Sequence, residues 1–426
     1  MPFGPLDSDP SHRIGPRYCC VSGPPVCRFP VNGDLPELIG SLMSRVDVLA
    51  MIDSLGAGGA ERSFLELLPA LMEMDVRLSF LCLDQRVHGY DSEVRALGVS
   101  VDTIERRGLL NRVREARRVI RRTEPDLIHT TLFMSDLIGR LANIRGEAPL
   151  ITSIVNTTYD ESRRLDPRVR PWKLEAARLI DGFGARHWTD HFHALTETAA
   201  DAAVRSLGID RRNLTVVPRA RDPHRFEIDR RAERERIRGA LNLGDEPVIV
   251  SVGREEFQKA HTVLVDAMDL VRREMPDARL VLVGRPGNAS EAIDRAVDRL
   301  DLTDAVVRTS FRTDVPGLLA AADVFAFPSH YEGFGGAMIE AMAMGIPIVC
   351  SDIPVLREVL GEPDAALFSP PGNPRLLADA LVSTLADDTE ASVRAVRARR
   401  VFEERYTTEV VAPDMAAMYR AVAGGA

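Results

Sequence analysis

Between residues 45 and 351 short apolar runs alternate with amphipathic helical stretches, and this alternation constrains the fold more than any other feature of the chain. The first runs lie at residues 45–52, 76–83, 126–130, 150–155 and 192–196. After a charged stretch at 219–238 a second series follows at 248–252, 279–283, 324–327 and 348–350, its runs ending at Gly253, Gly284, Pro328 and Ser351. Strands joined through helices must run parallel, because the helix returns the chain to the same edge of the sheet. Parallel sheets are covered by helices on both faces. The expected fold is therefore α/β, with two doubly wound parallel-sheet domains facing a central cleft at the carboxyl ends of their strands. The first domain is expected over residues 43–220 and the second over 221–400, joined near 217–225. Residues 401–426 read as a helical segment packing back toward the first domain. No period of the solenoid or propeller kind is present.

Composition narrows the function classes. The chain has 426 residues, 45% hydrophobic and 27% charged, enough for two or three cored domains. Residues 1–42 hold 8 of the 27 prolines without helical or strand periodicity, and read as a disordered leader or a gene-model extension, with translation starting at Met43. No apolar run reaches the roughly 18 residues of a membrane span, and no secretory signal opens the chain, so a soluble cytoplasmic protein is expected. Five cysteines, at 19, 20, 27, 82 and 350, are too few and too clustered for a disulfide framework. A formal charge of −9 argues against a general nucleic-acid binder. Two basic stretches interrupt that acidity, at residues 106–122 and 163–178. Each reads either as an ordinary helix with a solvated arginine face or as a surface for anionic membrane or a phosphorylated acceptor. Of the 54 basic residues only Lys173 and Lys259 are lysines, a skew that a GC-rich genome produces.

Four elements carry candidate chemistry. Gly56-Ala-Gly58-Gly59-Ala-Glu61 joins a strand to a helix, and its glycines permit either a tight turn or close approach to an anion at the helix N-terminus. Gly253-Arg254 and Lys259 follow a strand directly; two cations five residues apart there can grip a diphosphate from two sides, and the bland reading is a solvated loop. Glu332-Gly333-Phe334-Gly335 precedes a helix carrying Glu340, an arrangement that aims two carboxylates at one pocket. Glu340 suits a pair of ribose hydroxyls, since a carboxylate accepts several hydrogen bonds. The fourth element is the histidine set. His187, His191 and His193 lack the glutamate of a metalloprotease helix, so no metal site is expected. His129 ends a strand candidate and is expected either to face the cleft or to be a satisfied interior histidine.

Together these motifs resemble the retaining glycosyltransferases of family 4. The residues that carry the resemblance are Gly-x-Gly-Gly-Ala-Glu61, Val252-Gly-Arg254-x4-Lys259 and Glu332-Gly-Phe-Gly-x4-Glu340 followed by Ala-Met-Ala-x-Gly-Ile-Pro-Ile-Val, within a stretch from about Met43 to Tyr419. The resemblance implies the GT-B architecture, two Rossmann-like domains with the acceptor on the first and a nucleotide-diphosphate sugar on the second. It implies Arg254, Lys259 and Glu332 as catalytic residues. Donor contacts would come from Gly58, Gly59, Gly253, Arg254, Lys259, Glu332, Gly333, Phe334, Gly335 and Glu340, with Asn156 and His129 as sugar or acceptor contacts. No metal or other cofactor would be required. The implied activity is transfer of a hexose-type sugar, with retention, in glycan, glycolipid or natural-product assembly. The acceptor could be lipid-linked or phosphorylated, with peripheral contact at the inner face of the membrane. A nucleotide-sugar epimerase, a glycosyl phosphorylase and a catalytically weak nucleotide-sugar binder remain as alternatives. Three positions depart from the family pattern: Asn156 stands where many relatives have histidine, Arg219-Ala220 where many have Asn-Gly, and Ala260 where glycine is usual.

Overall fold

The computed structural model describes residues 45–56, 58–85 and 89–425. The expectations for residues 1–42, for a start at Met43 and for Cys19, Cys20 and Cys27 lie outside them. The first sheet contains β1 (Val46–Ile52), β2 (Val76–Cys82), β3 (Val101–Thr103), β4 (Leu127–Thr131), β5 (Leu150–Ile154), β6 (His191–Ala194) and β7 (Leu214–Val216), in the order β3-β2-β1-β4-β5-β6-β7. The second contains β8 (Val248–Val252), β9 (Arg279–Val283), β10 (Val306–Thr309), β11 (Val324–Phe327), β12 (Ile348–Ser351) and β13 (Leu367–Ser369), in the order β10-β9-β8-β11-β12-β13. All pairings between these strands are parallel, and the two doubly wound sheets expected from the alternation are present. The central strands are buried on both faces: every residue of β4, β5, β11 and β12 is buried. That is why β11 and most of β12 read as continuous apolar runs, while β4 and β5 also bury His129, Thr130, Thr131, Thr152 and Ser153.

Strand order fixes the site. In the first sheet the chain moves outward from β1 to β3 and then crosses back to β4, so β1 and β4 diverge at their carboxyl ends. The same reversal separates β8 from β11. Each reversal leaves a crevice at the strand ends, and the two crevices face each other across the cleft.

The chain crosses between the sheets twice. After β7 it passes through Val217 to Asp222. It returns between helices Asp388–Arg405 and Thr408–Gly424. The crossings pair with each other, Arg221 N donating to Tyr406 O at 2.9 Å and Thr408 N to Arg221 O at 3.2 Å. The returning helix buries Val411, Ala412, Met415, Met418 and Tyr419 in the first domain's core beside Val48, Ala50, Leu68 and Phe80. A second tie is Glu358, whose carboxylate accepts from Glu197 N, Thr198 N and Thr198 Oγ1 at 2.6, 2.9 and 2.6 Å. This glutamate of one domain caps helix Glu197–Leu207 of the other.

The first basic stretch forms helix Leu109–Thr123, with Ala116, Val119 and Ile120 buried and Arg112, Arg122 and Arg121 paired with Asp84, Asp102 and Glu147. Its apolar stripe is shorter than the spacing suggests, because Leu109 and Leu110 stay exposed, Leu110 at 73%. The second stretch leads into helix Pro171–Trp188, which exposes Trp172, Leu179 and Ile180. Among the described residues no helix is long and apolar enough to cross a membrane.

Candidate functional site

A cavity of about 1330 Å³ lies between the carboxyl ends of the two sheets. On the first domain's side β1 ends at Ile52 and helix Gly59–Glu73 begins three residues after Gly56. Gly58 caps this helix without a side-chain hydrogen bond, so the first turn presents backbone N–H groups to the cavity, that of Glu61 already engaged by its own carboxylate. Asp53 and Glu61 also line the cavity, and burial raises both above the usual carboxylate range. Deeper in the wall, burial pushes Asp136 up to about 7 even with Arg140 nearby.

On the second domain's side β8 runs directly into Gly253 and Arg254, whose side chain is 66% exposed at the mouth, 3.7 Å from Glu256. Lys259 closes a single 3₁₀ turn, Phe257–Lys259. Its Nζ donates to Glu332 Oε1 at 2.5 Å and lies 4.9 Å over the Phe327 ring. At Gly253 a Cβ would lie 3.2 Å from the Lys259 stem, which would have to shift by a few tenths of an ångström. The loop after β11 then brings Glu332 against Lys259 and passes through Gly333, where a Cβ would strike Val155 O at 2.0 Å. The two domains touch at that point, Thr196 Oγ1 donating to Gly333 O at 3.2 Å. Gly335 adopts positive φ (99°) as the N-cap of helix Gly336–Met344, which also begins without a side-chain cap. Glu340 follows on that helix and accepts from Arg221 Nε at 2.7 Å, a buried ion pair.

The structure brings Gly58, Gly59, Asn156, Gly253, Arg254, Lys259, Glu332, Gly333, Phe334, Gly335 and Glu340 to this one cavity. Phe334 faces it only through its loop, because the ring is 2% exposed and packs edge-on against Tyr406. Glu340 has one oxygen taken by Arg221, so it does not offer the free pair the sequence suggested. Both Arg219 and Arg221 line the cavity. Sequence reasoning noted Arg219 only as a departure at the linker, and missed Arg221; the available signal was two arginines flanking an alanine at the point where the chain changes domain.

His129 is the correction. It is 0% exposed and faces the interior, with both ring nitrogens engaged. His193 Nε2 lies 2.8 Å from the Val217 carbonyl and must donate to it. His193 Nδ1 therefore accepts from Ser153 Oγ at 2.9 Å, Ser153 Oγ accepts from His129 Nε2 at 2.7 Å, and His129 Nδ1 accepts from Tyr419 OH at 2.8 Å. One carbonyl thus orients the whole chain, and burial holds both imidazoles neutral, His193 at about 4. The other histidines point elsewhere: His187 stacks on Phe183, and His191 bonds Thr215 Oγ1. Among the described residues no group of three or more His, Cys, Asp or Glu is arranged to hold a metal ion.

Residues 58–220 match the family model described as glycosyl transferase 4-like domain, and residues 246–387 the one described as glycosyl transferases group 1. The D-inositol 3-phosphate glycosyltransferase of Xylanimonas cellulosilytica is 30% identical over 284 residues, 64% of this chain and 67% of that protein. The chain belongs to the group 1 glycosyl transferases. Another relative of this glycosyl transferase is the 2-deoxystreptamine glucosyltransferase of Streptomyces kanamyceticus, 33% identical over 210 residues. That alignment spans about half the length of each, 48% and 54%. Among solved structures, the Anabaena protein HepE in complex with UDP-glucose superimposes with a TM-score of 0.76 at 18% identity, covering 89% of this chain and 99% of that one. At that identity the likeness shows the GT-B fold.

Proposed function

We propose that this glycosyl transferase moves a hexose-type sugar from a nucleoside diphosphate to an acceptor hydroxyl, with retention of configuration. The observation that carries the reading is the convergence of Arg254, Lys259 and two uncapped helix N-termini, at Gly59 and Gly336, on one cavity. Such a site suits an anion of two or more charges. HepE, of the same fold, is described with UDP-glucose, which supports a nucleotide-sugar donor here.

In the proposed reaction the bond between the anomeric carbon and the diphosphate oxygen breaks, and its electron pair stays on the diphosphate. Arg254, Lys259 and the helix N-termini stabilise that growing charge. The acceptor oxygen attacks on the same face, and its proton passes to the departing phosphate oxygen. Glu332, held by Lys259, faces the sugar through the Gly333–Gly335 loop, and the free oxygen of Glu340 binds the ribose. Asn156 contacts the sugar or acceptor from the first domain. On this reading no divalent ion takes part, so chelation by EDTA leaves turnover unchanged. Exposed Trp172, Leu179 and Ile180 beside Arg168, Arg170 and Lys173 support peripheral contact with anionic membrane; vesicle co-sedimentation that needs anionic lipid and fades with salt tests it.

The deciding experiment is nucleoside diphosphate release from UDP, GDP and ADP sugars against a mixed acceptor library. Lys259→Ala is expected to lower kcat by about 10²–10³, and Glu340→Ala to raise the donor KM. Unchanged donor kinetics in both variants would remove the site assignment.

A further inference from the structure

We propose that Arg219, carried by the crossing between the domains, is a third cation of the diphosphate site. The inference rests on the donor reading above and adds a residue outside its motifs. Arg219 lines the same cavity as Arg254 and Lys259. Its guanidinium rests against the starts of both uncapped helices: a Cβ on Gly59 would lie 2.4 Å from Nη1, and one on Gly336 would lie 3.6 Å from it. The glycines at these two helix starts therefore admit this side chain as well as a ligand. The crossing needs no special backbone, since neither Arg219 nor Ala220 has positive φ.

What sets Arg219 apart is that no carboxylate pairs with it directly. Among the described residues it makes no hydrogen bond and no ion pair. Arg221 beside it is matched by Glu340, and the carboxylate facing Lys259 is matched by Lys259. Glu61 and Glu332 act on Arg219 only at longer range. Burial and the like charge of Arg221 lower its pKa to about 10, which still leaves it charged at neutral pH. A half-buried cation with no direct carboxylate partner, set against two helix N-termini, is placed to pair with an anion that enters the cavity. The anion that fits has at least two charges and reaches both helix starts, as a diphosphate does. Loss of Arg219 breaks no hydrogen bond among the described residues, so its effect should appear in binding more than in folding.

Titration calorimetry on the full chain tests this with UDP, GDP and ADP, each beside its monophosphate, and with inorganic pyrophosphate. For the diphosphate that binds, Arg219→Ala should lower affinity about tenfold or more, and lower pyrophosphate affinity in parallel, with monophosphate affinity held within about twofold and partial rescue by Arg219→Lys. Diphosphate affinity that survives Arg219→Ala but not Arg254→Ala overturns this proposal and leaves the donor reading standing. Equal losses for mono- and diphosphate overturn it as a structural effect, and a change confined to the KM of a phosphorylated acceptor overturns it by placing Arg219 on the acceptor. A wild-type chain that binds none of the three diphosphates overturns the donor reading as well.

Discussion

Ala260 takes φ 51° and ψ 34°, between the 3₁₀ turn that ends at Lys259 and helix His261–Glu274. The left-handed turn lets the chain enter the helix while Lys259 points into the cleft, but a Cβ in that conformation costs about 1–2 kcal/mol. Ala260→Gly should therefore stabilise the second domain by up to about 1 kcal/mol, part of the relief being offset by the freer unfolded chain; denaturant midpoints measure it. The buried histidines give a pH dependence. His193 titrates near 4 when folded and His129 well below 6.5, whereas unfolded imidazoles titrate near 6.5. The unfolded state thus binds more protons between about pH 4 and 6.5, so their contribution is complete above 6.5 and is lost as pH falls through that window. Asp136, raised to about 7, acts with the opposite sign, so the measurement is a difference. His193→Gln should flatten the acid slope of urea stability relative to wild type, at about 1.4 kcal/mol per unit of pKa difference removed. At this scale legibility followed locality. Arg254, Lys259, Glu332 and Glu340 were readable because each sits in the loop after a strand or on the helix that this loop begins. The pairing of Arg221 with Glu340, 119 residues apart, leaves no local trace, and the expectation that His129 ends its strand fails because it sits in the middle of β4, enclosed by Tyr419 and Ser153.

Among elements, the nine strands read from sequence are the interior strands of both sheets, and the four not read are β3, β7, β10 and β13, the edges. The difference is physical. An interior parallel strand is buried on both faces and writes a continuous apolar run, whereas β10 (Val-Val-Arg-Thr) is half-buried or exposed along its length and the other edges are three residues long. Helix starts are the other informative elements. Glu197–Leu207 begins with Thr196 Oγ1 accepting from Ala199 N, and Glu358 of the other domain takes the two donors before it, Glu197 N and Thr198 N. Glu358→Ala should remove about 1 kcal/mol of helix stability, and because the cap joins the two domains it should also raise protease sensitivity near residues 196–198. Unchanged cleavage there would mean that the cap does not tie the domains.

For the whole molecule the second crossing matters most. The returning helix supplies Val411, Ala412, Met415, Met418 and Tyr419 to a core otherwise made by the first domain. A chain ending at residue 407 should expose that core, bind a hydrophobic dye and lose the cooperative transition of the first domain, while the second keeps most of its own apolar packing. A native-like melt of the first domain in that truncation would show that the helix only decorates it. The same arrangement sets an order of synthesis. A ribosome finishes β1 to β7 long before it reaches residue 408, so the domain made first is the one that must wait, its last wall still untranslated. The second domain can close its sheet in the interval. The nascent protein should accordingly mature in reverse of the usual direction, with an early half that depends on chaperones until helix Thr408–Gly424 has been made.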